Sequence, residues 1–239
     1  YRDVTDEEVR DIVRMQQESS KMTYAQIAAL ASIARERGIS IASHDDDSAE
    51  KLAFMDGLEA SISEFPISLD VAREARARGL HTVAGAPNVM LGHSHSGNLS
   101  AREAVEAGAI DVLCSDYYPA ALLDAVFALR DECGLDIARA FALVSVNPAK
   151  AAGIADEVGS LAVGKRADVL LVREIACGEA GTRTMPVVTR AFVGGHSVFR
   201  SHYPDQPLGY ARDLGERIDA ARADAARADA ARALFPEAV

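Results

Sequence analysis

No run of 18 or more apolar residues occurs in the chain, and no basic stretch followed by an apolar one opens it. Neither a membrane-spanning helix nor a secretory leader is therefore expected. Positive charge is also scarce. Lys and Arg number 25 against 36 Asp and Glu, a formal net charge of −11, which would repel nucleic acid and an anionic membrane surface alike. No nucleic-acid and no membrane partner is expected, and an anionic substrate would need counter-charge from metal ions or local donors. The three cysteines, Cys114, Cys133 and Cys177, have no CxxC or other paired spacing, the pattern of reduced thiols in a cytoplasmic protein. An initiating methionine is missing too, since the sequence opens at Tyr1, which sets the expectation of a later part of a longer chain. What is present, 49% hydrophobic residues over 239 positions, suffices for one large domain or two small ones.

Along the chain, Thr5-Asp6-Glu7-Glu8 reads as a capping box that starts a helix carrying Val9, Ile12 and Val13 on one face. A second helix is predicted over 24–37, stopped by Gly38. Then strands and helices alternate. Short apolar strands are predicted at 39–43, 60–63, 81–84 and 110–114, each followed by a helical pattern, at 49–56, 69–78, 101–106 and 120–132. Four strand–helix units in a row imply a parallel sheet. A further helix is predicted over 137–146, ending at Asn147-Pro148. Beyond it, GSLAVGKRADVLLV and VVTRAFVGGHSVFR read as strand-rich pieces of a small β unit, in which Lys165 and Arg166 sit in a solvated turn. The end of the chain is rich in Ala and Arg, with high helix propensity.

The polar residues with chemical uses fall just after the predicted strands, where (β/α) barrels place their active sites. His44 is followed by Asp45, Asp46 and Asp47. An imidazole beside hard oxygen donors suits a divalent metal, while the same aspartates equally suit the N-cap of the next helix. Glu64-Phe65-Pro66 follows the second strand, and Glu64 reads as a ligand or as a partner that orients a metal-bound histidine. The third strand leads into a long loop, GAPNVMLGHSHSGN, containing Asn88. There His93-Ser94-His95 has ligand-like spacing, but Ser94, His95, Ser96, Gly97 and Asn98 read better as an anion-binding element ahead of a helix. Asp116 follows the fourth strand at the bottom of an expected cleft, placed to bind metal and to take a proton from water. An N-cap role is the alternative there. His81, His196 and His202 have no chemical company in the sequence.

With those residues in view, NPAKAAGIADEVGSLAVGKRADVLLV is similar to the closing segment of amidohydrolase-superfamily enzymes. There, an Asn-Pro-Ala and Gly-rich pattern leads from the last barrel helix into a β-sandwich. Within that superfamily, SHDDD, EFP, GAPN, SHSGN and SDYYP, in this order, resemble the diphosphatases of the carbon–phosphorus lyase pathway over residues 5–199. The resemblance implies an α/β fold: the C-terminal part of a metal-dependent (β/α)8 TIM-like barrel over 1–150 and β-sandwich strands over 151–203. The tail over 204–239 lies outside the resemblance and is expected to be helical from its composition. It implies hydrolysis of alpha-D-ribose 1-methylphosphonate 5-triphosphate to the 5-phosphate and pyrophosphate. One or two divalent ions would serve, zinc first, with manganese or magnesium as alternatives. His44 and Asp116 would be metal ligands, with Asp116 also the catalytic carboxylate, and Glu64 would stand where many relatives carry a histidine. Asp45, Asp46, Asn88 and Ser94 to Asn98 would meet the phosphorylated ribose. A cytoplasmic homo-oligomer is expected. The superfamily's first-strand His-x-His is absent from this sequence, and His93-Ser94-His95 follows a later strand. Two other functions therefore stand beside the first: a deaminase or cyclic-amide hydrolase on the same fold, and a metal-free binding or assembly subunit.

Overall fold

The computed structural model of the chain describes residues 5–18, 21–92, 99–177 and 183–201. Thr5 starts a helix: its N–H donates to Glu8 Oε2 (2.9 Å), and its Oγ1 accepts from the Glu8 N–H (3.3 Å), the reciprocal pair of a capping box. Helix α1 runs Asp6–Glu18. Thr23 repeats the device with Gln26 at the head of α2, Tyr24–Glu36. The face of α1 formed by Val9, Ile12 and Val13 stays exposed among the described residues.

The expected alternation follows. Strands β1 (Ala42–His44), β2 (Ile62–Glu64), β3 (His81–Gly85) and β4 (Val112–Cys114) form one sheet in the order β1-β2-β3-β4. Every neighbouring pair is parallel. Helices α3 (Ala49–Gly57) and α4 (Leu69–Ala77) connect the first three strands, each capped by a serine that accepts a backbone N–H. The run before β1 was expected to be a buried strand. Ile39 is instead 57% exposed, and the strand begins only at Ala42. Among the described residues β1 is an edge of the sheet, so the preceding run has a neighbour on one side only.

The stretch after β3 is not all loop: Ala86–Leu91 forms helix α5, with Pro87 in its first turn, where a missing N–H costs nothing, and Gly92 ending it at φ 75°. Helix α6 (Ala101–Glu106) and α7 (Ala121–Cys133) lie as expected. The helix predicted over 137–146 is two, α8 (Ile137–Ala142) and α9 (Val146–Ala151). Pro148 lies in the first turn of α9, so Asn147-Pro148 opens a helix and does not end one.

Alternation along the strands gives the sheet two faces. Ala84 and Leu113 point into the main core, where they meet Val89, Val105, Val126 and Leu129 from α5, α6 and α7. Leu129, Val89 and Val126 are fully buried, each contributing roughly 1.5–3 kcal/mol. The opposite face carries Val83 and Val112, covered at one end by Ala151 of α9. Among the described residues the outer edge of β4 is closed without a strand. Leu113 N–H donates to the Leu143 carbonyl (2.8 Å), and Asn147 Nδ2 donates to the Asp111 carbonyl (2.8 Å).

A second, antiparallel sheet holds β5 (Val169–Cys177), β6 (Arg183–Val193) and β7 (His196–Arg200), in that order. Gly194 and Gly195 both take positive φ in the β6–β7 turn, the backbone such a two-residue hairpin demands. Lys165 is not merely solvated: its Nζ donates to the carbonyls of Ala155 and Val158 and to Ser160 Oγ, knotting the turn before β5. Arg130 of α7 reaches Glu174 of β5 through Nη1 and Nη2, at 2.7 Å each. Its guanidinium also lies 4.7 Å from the centre of the Phe127 ring. The Ala- and Arg-rich stretch 204–239 lies outside the described residues, as does His202.

Candidate active site

His44, Glu64, Gly85 and Cys114 are the last residues of the four parallel strands, so they share one rim. His44 pairs in register with Glu64, and Gly85 with Cys114. The chain turns sharply just beyond. Asp45 (φ 55°), Phe65 (φ 54°) and Asp116 (φ 49°) all adopt left-handed backbone, uncommon for residues with a Cβ and unfavourable for a bulky one. Such conformations persist where surrounding contacts impose them, and they gather at functional sites. Here the strand ladder imposes two of them: the Asp45 N–H donates to the Glu64 carbonyl (2.8 Å) and the Phe65 N–H to the Val83 carbonyl (2.9 Å). Each residue is held as if still in the sheet while the chain leaves it.

Nδ1 of His44 lies 3.0 Å from Asp45 Oδ2. The imidazole meets the Phe65 ring edge to face, with centroids 5.2 Å apart and planes at 72°. Glu64 is half-buried beside it. Burial pushes the Cys114 thiol above its ordinary range, and the nearby charges of Glu64 and Asp116 push in the same direction. Asp116 was expected at the bottom of a cleft. It is exposed on the rim, two residues past the strand end, because β4 stops at Cys114. Even so, it lines a cleft of about 200 Å3 together with Asp45, Phe65, Gly85, Asn88 and Tyr117. Gly85 makes this possible: a Cβ there would lie 3.2 Å from Asp116 Oδ2 and 3.5 Å from Phe65 Cε1.

The predicted substrate-binding residues separate. Asp45 borders the cleft. Asp46 does not reach it. Its side chain is fully buried, and Oδ2 accepts the hydroxyls of Ser43 and Ser63 at 2.5 Å each. Oδ1 has no hydrogen-bond partner but lies 3.8 Å from Lys51 Nζ, which donates to the carbonyls of His44 (2.6 Å) and Asp45 (2.8 Å). Of three consecutive aspartates, this one folds back to tie β1 to β2. Asn88 borders the cleft, but its amide is engaged: Nδ2 donates to the Leu99 carbonyl, and Oδ1 accepts from the Ala101 N–H, at 3.0 Å each. Ser94, His95, Ser96, Gly97 and Asn98, with His93, lie outside the described residues.

An imidazole and carboxylates on one rim are donors of the kind that hold zinc, manganese or magnesium. The lack of a Cβ at Gly85 leaves the Asp116 carboxylate room beside the strand ends. By donor chemistry these residues fit a divalent ion. They form a partial set: among the described residues, no three His, Cys, Asp or Glu side chains come together as a ligand cluster.

Sequence reasoning passed over Phe65, Gly85, Lys51 and the Ser43–Ser63 pair. The small residue preceding the last position of both β1 and β2, ASH and ISE, was the available signal for the buried serines. His81 also gains company. Its Nδ1 is 2.8 Å from Asp111 Oδ2, which is 3.0 Å from Arg76 Nη1, all at the opposite end of the sheet from the rim.

Parallel strand–helix units with polar residues gathered at the strand C-terminal rim make an α/β arrangement of the kind on which (β/α) barrels place their sites. The sequence pattern of the amidohydrolase family matches residues 4–198. The chain belongs to that family. It is 42% identical over 144 residues to the alpha-D-ribose 1-methylphosphonate 5-triphosphate diphosphatase of Escherichia coli (strain K12), a match covering 59% of this chain and 38% of that protein. An amidohydrolase from Thermotoga maritima MSB8 shares the fold at TM-score 0.54 and 17% identity, over 82% of this chain and 52% of its own. An adenosine deaminase from Xanthomonas campestris, solved with bound zinc, does so at TM-score 0.53 and 16% identity, over 84% of this chain and 55% of its own. The chain thus spans little more than a third of the curated relative's length and about half of these structures. Its parallel sheet is the later part of the family's (β/α)8 barrel, and β5 to β7 are strands of the accompanying β-sandwich.

Proposed function

We propose that the protein is a divalent-metal hydrolase of phosphonate catabolism that cleaves alpha-D-ribose 1-methylphosphonate 5-triphosphate to the 5-phosphate and pyrophosphate. The observation that carries this reading is the 42% identity to a diphosphatase whose name specifies that substrate. The rim chemistry supports it. Asp45, Glu64 and Asp116 make the rim acidic, and a triphosphate could not approach them without intervening cations. His44 and Asp116, with Glu64 beside them, would hold one or two divalent ions, zinc first and manganese or magnesium as alternatives. When bound, such an ion supplies a water of lowered pKa and positive charge for the phosphoryl oxygens.

Asp116 takes the proton from the attacking water. The water oxygen adds to phosphorus at the α–β anhydride, the bridging P–O bond breaks, and pyrophosphate leaves with the bridging oxygen. Gly85 keeps the Asp116 carboxylate in the cleft where that proton is released. The segment Ser94 to Asn98 falls in the sequence between Leu91 and Leu99, two residues that line the cleft, and is assigned to substrate binding with Asp45.

Phosphorus NMR of the full-length protein with the ribose triphosphate and added divalent metal tests the reading, with Asp116→Asn as control. Pyrophosphate released by the unmodified protein, and not by a folded Asp116→Asn, is the expected result. Orthophosphate as first product would overturn the assignment of the cleaved bond. No product from a folded, metal-loaded protein would overturn the phosphohydrolase reading in favour of carbon–nitrogen hydrolysis.

A further inference from the structure

The His44 imidazole is gripped on two sides by the residues that follow β1 and β2. Asp45 Oδ2 sits 3.0 Å from Nδ1, and the Phe65 ring packs edge to face against the imidazole at 5.2 Å. Both neighbours occupy left-handed backbone, at φ 55° and 54°. That conformation turns the Asp45 side chain back toward the residue before it. In an extended strand, consecutive side chains point to opposite faces, and this contact would not form. Phe65 is an unfavourable residue for such a backbone, so packing must hold it there. Its ring fills the space between the imidazole and the Cβ-free site at Gly85.

We propose that Asp45 and Phe65 are positioning residues for His44: Asp45 keeps the proton of the neutral ring on Nδ1, and Phe65 fixes the plane of the ring, so that Nε2 presents its lone pair to the rim. A negative oxygen 3.0 Å from Nδ1 repels a lone pair there and favours an N–H. Carboxylates set the tautomer of ligating histidines in this way. Asp45 then acts on the ring through Oδ2, in addition to the substrate contact assigned to it above. The inference rests on the reading of His44 as a ligand.

Long-range nitrogen–proton NMR of the His44 ring tests it in the full-length protein without added metal, above the ordinary imidazole titration range. His44→Gln identifies the signal. The unmodified ring is expected to carry its proton on Nδ1, against the Nε2–H form that free histidine prefers. Asp45→Gly keeps the left-handed backbone and removes the carboxylate. It is expected to move the ring to the Nε2–H form and to weaken Co2+ binding, read by visible absorption, by about 10- to 100-fold. Asp45→Asn tolerates the same backbone, keeps an acceptor oxygen and should restore the Nδ1–H form. Phe65→Tyr should bind Co2+ like the unmodified protein, while Phe65→Gly should not. An unchanged ring and unchanged Co2+ affinity in Asp45→Gly would overturn the proposal. Undiminished Co2+ affinity in His44→Gln would instead overturn the ligand reading beneath it. The ring signal, which needs no metal, separates the two failures.

Discussion

Replacing Asp46 by Ala should cost the protein stability and spare its substrate affinity. The carboxylate is fully buried and accepts two serine hydroxyls at 2.5 Å. Hydrogen bonds to a charged acceptor contribute about 1.5–3 kcal/mol each. The two losses are unequal. Ser43 Oγ keeps a second acceptor, the Ile62 carbonyl at 3.2 Å, whereas Ser63 Oγ is left buried with no other acceptor among the described residues. Removing the charge also relieves the desolvation of a carboxylate whose nearest cation, Lys51, stands 3.8 Å off. The balance is a net loss of about 2–4 kcal/mol, or roughly 5–15 °C in Tm for a chain of this size. Equilibrium denaturation of Asp46→Ala, Ser63→Ala and the double variant checks this. The double variant should be less destabilised than the sum of the singles, because each single leaves a buried partner behind. An Asp46→Ala protein with unchanged Tm and a raised KM would refute the reasoning and make Asp46 a substrate contact.

Gly85→Ala places a Cβ 3.2 Å from Asp116 Oδ2. The backbone there, φ −77° and ψ 131°, accepts alanine, so Tm should hardly move, while displacement of the carboxylate should lower kcat by about tenfold or more. Steady-state kinetics beside a thermal melt would show it; equal losses in both would count against a role confined to the site. Acid should loosen the tie between α7 and the second sheet. The hydrogen bonds from Arg130 hold the Glu174 carboxyl below the ordinary carboxylate range. A depressed folded-state pKa contributes stability that is present above the unfolded value and is lost as pH falls through the folded one. Both side chains are partly exposed, so the pair is worth at most about 1 kcal/mol. The stability difference between the unmodified protein and Glu174→Gln should shrink as pH falls below the carboxylate range, and a difference constant with pH would remove Glu174 from the acid response.

The elements legible in the sequence were those whose signals are local. Thr5 with Glu8 at the start of α1 and Gly38 after α2 each satisfy the backbone within a turn or two, so a short window contains the whole cause; the N-cap of α3, expected among Asp45 to Asp47, is instead Ser48. The strand ends, and with them His44, Glu64 and Asp116, were placed on one rim by the alternation alone. What stayed hidden depends on register between strands far apart in sequence. Asp45, Asp46 and Asp47 are chemically identical, and only the pairing of Ser43 with Ser63 decides which carboxylate folds into the interior. Phe65 carries no mark of a left-handed backbone, since a sequence argument would look for glycine or asparagine there. The ring is held by His44 on the neighbouring strand and by the room that Gly85 leaves two strands away. The same dependence explains the misread start of β1. Apolar composition predicts burial only if both flanks are covered, and Ile39 precedes a strand that has one described neighbour. The site is therefore legible at the level of which residues reach the rim. The backbone strain that aims them is set by contacts across three strands, which no window of sequence contains.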